Sequence, residues 1–318
     1  MPYDGRAQVL KAIRQFLTAY DMTPCDVPRI IEQGEDNLNI DVSIVGGRIV
    51  VRRYELTRPS DIAFELDVLE HLTSRAFPVP RLYRARDGER MRDLMGRPAA
   101  VFGFVDGSSP SISDPDVWRQ VGRWLSNYHE AVADFVPANK KPYGELSELD
   151  RMARAAPRMR ELGLDDFVGD VADFASRHKA TLRKALQTLP SGVIHADFRP
   201  DNLLCRNGEL VAVLDFDTSY IGSFVRDLAE AIVIWSMPVG SFLPNRAVVD
   251  AIIAGYCEVR RLSEAERDLL PVSILLTCLS DAIRFIDDHT QGDQPLERAD
   301  ECSMYKRYLA LRDGGLNI

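Results

Sequence analysis

The residues best suited to chemistry lie in Val193-Ile194-His195-Ala196-Asp197-Phe198-Arg199-Pro200-Asp201-Asn202-Leu203-Leu204, followed about a dozen residues later by Val213-Leu214-Asp215-Phe216-Asp217. A short apolar run delivers Asp197, a polar loop places Asn202 five residues beyond it, and a second apolar run ends in Asp215. Phosphoryl transfer to a hydroxyl asks for such a set, because its transition state receives little covalent help and depends on positioning and charge stabilisation. One carboxylate must accept or orient the proton of the attacking hydroxyl. Hard oxygen ligands must hold magnesium against the triphosphate. Asp197 fits the first role, and Asn202 with Asp215 fits the second.

A purely structural account of these residues exists. A lone His-x-Asp is common in loops, Asp217 can close a turn, and Asn207-Gly208 reads as a hairpin turn. Two apolar strands, fixed offsets and an acid at each strand end together favour the chemical reading. The spacing matches the arrangement in which a catalytic-loop Asp precedes a metal-binding Asn by five residues and a second Asp follows on the next strand.

The elements that must carry these residues follow from periodicity. Val9, Leu10, Ile13, Phe16, Leu17 and Tyr20 recur at helical spacing, so the chain begins with an amphipathic helix. Residues 38–45 read as a strand, Gly46-Gly47 as a hairpin turn, and 48–54 as the return strand. Pro59-Ser60-Asp61 starts a helix carrying Ile62, Leu66, Leu69 and Leu72, which Pro78 and Pro80 end. Residues 98–105 form a further apolar strand. The Ser-, Pro-, Asp- and Gly-rich stretch 106–115 reads as a crossing between two lobes, 1–105 and 106–318. Helical stripes follow at 117–128, 152–162 and 167–189, then short strands at 192–195 and 209–216, then helices from Val225 onward.

Bulk properties narrow the function. The 318 residues are 46% hydrophobic, enough for a sizeable core. The net charge of -9 speaks against a nucleic-acid partner. No basic start followed by a long apolar run suggests a signal peptide, and no run approaches the length of a membrane span. Cys25, Cys205, Cys257, Cys278 and Cys302 are scattered, which predicts free thiols, no zinc site and a cytoplasmic location without membrane attachment.

At the residues quoted above, the sequence resembles the aminoglycoside phosphotransferase and choline kinase superfamily, most of all its proteobacterial type of homoserine kinase. Val193 to Asp197 with Asp201-Asn202 resembles the catalytic loop of that superfamily, and Leu214-Asp215-Phe216 its metal strand. Arg226-Asp227-Leu228-Ala229 and Ile234-Trp235 resemble the helix that follows, and Asp281-Ala282-Ile283-Arg284-Phe285 a late helix. The resemblance implies an α+β, protein-kinase-like fold with a small antiparallel-sheet lobe containing one inserted helix and a larger, mostly helical lobe. It also implies Mg2+ and ATP, with GTP open, a small-molecule alcohol as second substrate, and a monomer or homodimer.

The resemblance places Gly34, Asn37 and Asn39 at the nucleotide phosphates. It puts the basic residue of the third strand at Arg52 or Arg53, with Arg52 favoured because it aligns better after Val50-Val51. Arginine pairs with phosphate as lysine does. Glu65 would be its acidic partner, with a solvated helix position as the alternative, and the segment from Phe102 through Phe104 to Val105 would meet the base. No Gly-x-Gly-x-x-Gly loop is present; Gly34-Glu35-Asp36-Asn37 alone could cover the phosphates. That points to a small-molecule kinase. His195 reads as a structural support of the loop and His129 as a packing residue. Asp227 is expected to tie the loop together, with Arg226 paired to it or touching substrate. Arg284 is either an anion contact or a surface ion-pair member.

Three functions stay open: a kinase for a sugar-containing antibiotic such as an aminoglycoside or nucleoside, a homoserine kinase, and a catalytically silent binding module. Asp217 favours a cationic or polyhydroxyl acceptor, where homoserine kinases carry aromatic and small apolar residues. The complete Asp197, Asn202 and Asp215 set speaks against the silent module.

Overall fold

The computed structural model describes residues 6–32, 37–139, 141, 144–238, 240–291 and 299–314. Its chain divides into two compact units. The first is Met1–Ser108, Pro137–Lys140 and Leu203–Asp217; the second is Ser109–Val136, Lys141–Asn202 and Thr218–Ile318.

The first unit opens with helix α1 (Arg6–Leu17) and an antiparallel sheet of six strands. These are β1 (Arg29–Ile31), β2 (Asn37–Ile44), β3 (Gly47–Tyr54), β4 (Leu82–Tyr83), β5 (Met91–Asp93) and β6 (Pro98–Gly103). The order is β1-β2-β3-β6-β4, with β5 also paired to β6. The β2–β3 turn falls on Val45 and Gly46, one residue earlier than the expected Gly46-Gly47, with Gly46 at φ +90° and Gly47 already in β3. Helix α2 (Pro59–Ser74) follows β3, and proline in its first turn suits a position where the missing N–H has no helical partner. Pleating sends Ile49 and Val51 into a core with Ile13, Leu17, Ile40, Val42, Ala99 and Val101, so Arg52 projects from the opposite face.

Two short strands, β8 (Leu203–Arg206) and β9 (Glu209–Val213), form a separate hairpin in this unit. The second apolar strand is therefore shorter than expected. It stops at Val213, and Asp215 lies beyond it at φ +60°. Beyond the prolines that end α2, β4 forms, and with β1 and β5 it adds three short strands that alternation did not reveal.

The second unit is built on α3 (Pro115–Val132), α4 (Ser147–Glu161), α5 (Asp165–Thr188), α6 (Phe224–Ser236), α7 (Arg246–Val259), α8 (Glu264–Gln291) and α9 (Ser303–Gly314). A small antiparallel pair, β7 (Ser191–Ile194) with β10 (Tyr220–Ser223), completes it. Helices α3 and α7 meet backbone to backbone. A Cβ at Gly122 would lie 2.0 Å from the Ile252 carbonyl oxygen, and one at Gly255 would lie 1.9 Å from that of Arg119. Only glycine permits this approach. In α8, residues Glu264–His289 are long and apolar enough to cross a membrane, but 67% of the apolar stretch is buried, and the helix packs on α4, α6 and α9.

Candidate active site

Residues 193–202, which carry Asp197 and Asn202, belong to the second unit. β7 ends at Ile194, and the chain then turns sharply through Ala196 at φ +58°. A left-handed conformation costs a non-glycine residue about 1–2 kcal/mol, so neighbouring contacts must hold it. Asp227 on α6 supplies them. Its Oδ2 accepts the His195 amide and its Oδ1 the Ala196 amide, both at 2.9 Å. On the other side of the loop, the His195 carbonyl accepts the hydroxyls of Thr218 at 3.1 Å and Ser219 at 3.2 Å. The Trp235 indole donates to the Phe198 carbonyl at 2.8 Å. The ring of His195 is buried edge-on against Tyr128 and Phe198.

This clamp presents Asp197 and Asn202. The Asn202 Nδ2 donates to Asp197 Oδ2 at 2.7 Å and to the Asp197 carbonyl at 3.0 Å. Both partners are acceptors, so the orientation of the amide is fixed and its oxygen is turned away from Asp197. The Arg199 Nε stands 3.7 Å from Asp197 Oδ1.

Asp227 is itself fully buried, which raises its pKa, but the hydrogen bond from His129, the neighbouring histidines and the His195 amide outweigh burial and lower it. It is a carboxylate in the folded protein. His129 donates Nε2–H to Asp227 Oδ2 at 2.9 Å, and its Nδ1 lies 2.7 Å from the Tyr256 hydroxyl. Burial is the largest influence on His129 and lowers its pKa, so the ring is neutral.

Arg226 departs from one expectation. It pairs with Glu230 at 2.9 Å and Thr277 at 2.7 Å, not with Asp227. Glu230 is buried, and burial pushes its pKa up to about 8. Glu145 is also buried, accepts the Ser223 hydroxyl at 2.6 Å and has its pKa raised by burial. Arg284 makes an exposed ion pair with Asp281 at 3.3 Å.

Asn37, Asn39, Arg52, Glu65, Phe104, Asp215 and Asp217 belong to the first unit. Arg52 Nη2 lies 2.6 Å from Asp215 Oδ1 and 3.5 Å from Asp217 Oδ2, while Nη1 lies 3.4 Å from Glu65 Oε1. Glu65 is buried rather than solvated. Burial opposes the Arg52 charge, but Glu65, Asp215 and Asp217 more than compensate and hold its pKa well above the ordinary value. Arg53 points away and pairs with Glu55 at 3.0 Å.

Asn39 is the cross-strand partner of Arg52, so the two share a face. Asn37 Nδ2 donates to Asp217 Oδ2 at 3.4 Å. Gly34, Glu35 and Asp36 lie outside the described residues. The Phe104 amide donates to the Arg48 carbonyl at 3.1 Å, and the Arg48 guanidinium lies 3.6 Å from the centre of the Phe104 ring.

Among the described residues, no group of three or more His, Cys, Asp or Glu is arranged to hold a metal. A carboxylate and a carboxamide nevertheless suit magnesium, which keeps several waters and takes the rest of its oxygens from substrate phosphates.

Residues 28–269 match the family model described as the phosphotransferase enzyme family. The homoserine kinase of Granulibacter bethesdensis is 31% identical over 278 residues, covering 86% of this chain and 84% of its own. That of Methylobacterium radiotolerans is also 31% identical, over 283 residues, covering 86% and 83%. Among solved structures, an amicoumacin kinase superposes with a TM-score of 0.69 at 16% identity, covering 98% of this chain and 94% of its own. A microcompartment-associated aminopropanol kinase gives 0.65 at 21%, covering 96% and 98%. The fold is that of the protein-kinase-like phosphotransferases. The chain belongs to the phosphotransferase enzyme family, and it is a kinase-type enzyme that transfers a phosphoryl group to a hydroxyl of a small molecule.

Proposed function

We propose that the protein is an ATP- and magnesium-dependent homoserine kinase. The observation that carries the chemistry is the 2.7 Å bond from Asn202 Nδ2 to Asp197 Oδ2 inside a loop clamped by Asp227. In this reading Asp197 takes the hydroxyl proton while the acceptor oxygen bonds to the γ-phosphorus and the bond to the β–γ bridging oxygen breaks. Asn202 and Asp215 would supply oxygen ligands to magnesium, whose charge would offset that of the triphosphate. Arg52, steadied by Glu65, is the phosphate-contacting cation, with Asn37 and Asn39 beside it on the sheet and Phe104 at the base.

The choice of acceptor rests on the homoserine kinases that match nearly the whole chain. It is favoured further by Asp217, which is engaged with Arg52 and Asn37. That engagement removes the reason to reserve it for a polyhydroxyl or cationic acceptor.

The test is a coupled nucleotide-consumption assay with homoserine, choline, aminopropanol, spectinomycin and hygromycin, each with ATP and GTP. Homoserine with ATP is the expected pair. Asp197→Ala should lower kcat by roughly 10²–10⁴-fold, the usual contribution of a general base, while nucleotide affinity persists. Near-normal turnover in that variant sinks the catalytic assignment. Turnover of an antibiotic with none of homoserine sinks the acceptor.

A further inference from the structure

Asp227 does not end the network that holds the catalytic loop. Arg260, which follows α7, donates Nη1–H to the Tyr256 hydroxyl oxygen at 3.0 Å. Arginine is always protonated, so the phenol accepts that bond and has one proton left to give. It gives it to His129 Nδ1, 2.7 Å away, which fixes the neutral ring with its hydrogen on Nε2 and points that hydrogen at Asp227. Every bond in the series thus has one permitted direction: Arg260 to Tyr256, Tyr256 to His129, His129 to Asp227, with Asp227 receiving the loop amides.

The outer end is anchored as well. Arg260 Nη2 binds Glu266 Oε1 at 2.5 Å. The other Glu266 oxygen accepts the Ser263 amide at 3.0 Å and hydroxyl at 2.9 Å, and the Glu266 amide returns a bond to Ser263 Oγ. Ser263 and Glu266 therefore form the capping box of α8. Phe224 stacks on His129 with centroids 4.3 Å apart, and Arg260 lies 5.5 Å from the centre of the same ring. The direct bond between α3 and α7 exists because Gly122 and Gly255 let these helices touch.

We propose that Tyr256 and Arg260 are positioning residues for the catalytic loop, acting through His129 and Asp227 on the His195 and Ala196 backbone that presents Asp197. The proposal rests on Asp197 being the base. It adds that the strained Ala196 turn is held by a chain of donors running back to the cap of α8.

The experiment is Tyr256→Phe, which removes one oxygen and keeps the ring. Amide hydrogen exchange is measured by NMR at His195 and Ala196 and along α3 and α7, together with kcat, both KM values and Tm. Loop-amide exchange should accelerate and kcat should fall, each by about tenfold for a lost charge-supported bond. Both KM values and exchange within α3 and α7 should stay the same. Unchanged exchange at the loop amides, acceleration spread evenly over α3 and α7, or an unchanged kcat each overturns the proposal. Exchange does not depend on the acceptor, so a wild-type protein that ignores homoserine refutes the proposed substrate while the loop amides still decide this inference. If Tyr256→Phe does not fold, Arg260→Gln at the outer end carries the same expectations and the same refutations.

Discussion

Asp227→Asn is the substitution whose cost can be worked out from the most contacts. The carboxylate accepts three donors at 2.9 Å, with His129 Nε2 and the His195 amide on Oδ2 and the Ala196 amide on Oδ1. Asparagine offers one oxygen and one NH2. Turned to keep the pair at Oδ2, it sets its NH2 against the Ala196 N–H. Turned the other way, it opposes two donors. The better orientation loses one bond to a charged acceptor, worth about 1.5–3 kcal/mol, and weakens two others by about 1 kcal/mol each as the charge disappears. A loss of roughly 3.5–5 kcal/mol results. The strained Ala196 turn loses its restraint at the same time, so turnover should fall with stability.

The assay is urea unfolding of wild type and variant at neutral pH. A difference below about 1 kcal/mol would refute the reasoning, because a single neutral bond could account for it. Acid adds a second check. The pKa of Asp227 in the folded protein is lowered from 3.8, so its contribution is complete above 3.8 and is lost as pH falls through the lower, folded-state value. The gap between wild type and variant should therefore persist at neutral pH and narrow only in strong acid.

Two further outcomes follow from other residues. Asp215→Asn keeps a side chain that tolerates the observed φ of +60°, so the fold should survive. Magnesium-dependent nucleotide binding should weaken by about tenfold or more, or ~1.4 kcal/mol; isothermal titration with and without magnesium measures it, and an unchanged magnesium dependence argues against the ligand role. Gly255→Ala places a methyl group 1.9 Å from the Arg119 carbonyl oxygen, which a rigid helix pair cannot accommodate. Overpacking of this kind costs about 1–3 kcal/mol or more, and a thermal melt indistinguishable from wild type would contradict the close α3–α7 approach.

What could be read in the sequence divides along a physical line. Periodicity reports one face of one element. It therefore sufficed for α1, α2, α3, α5 and the β2–β3 hairpin, whose apolar residues repeat over several turns or pleats. It did not suffice for β1, β4, β5, β8 and β10, at two to four residues each, because a run that short shows no period. Offsets within one loop were legible too, since Asp197 and Asn202 are five residues apart and joined by a direct bond.

Asp227 was expected to tie that loop together, and it accepts the His195 and Ala196 amides, but the support behind Asp227 was not legible. His129 and Tyr256 are 127 positions apart, and nothing local to either one marks it as the other's partner. The glycines that bring their helices together mislead in isolation. Glycine inside a helix costs about 1 kcal/mol relative to alanine, so helix propensity alone counts Gly122 and Gly255 against α3 and α7. Once the two helices are packed, the same glycines become the reason the helices touch. Their cost in helix propensity is offset by a contact that lets a tyrosine on α7 set the tautomer of a histidine on α3. The spacing of Asp197 and Asn202 can thus be read from one loop, whereas the bonds that hold that loop are distributed over α3, α6, α7 and the start of α8, where only distances reveal them.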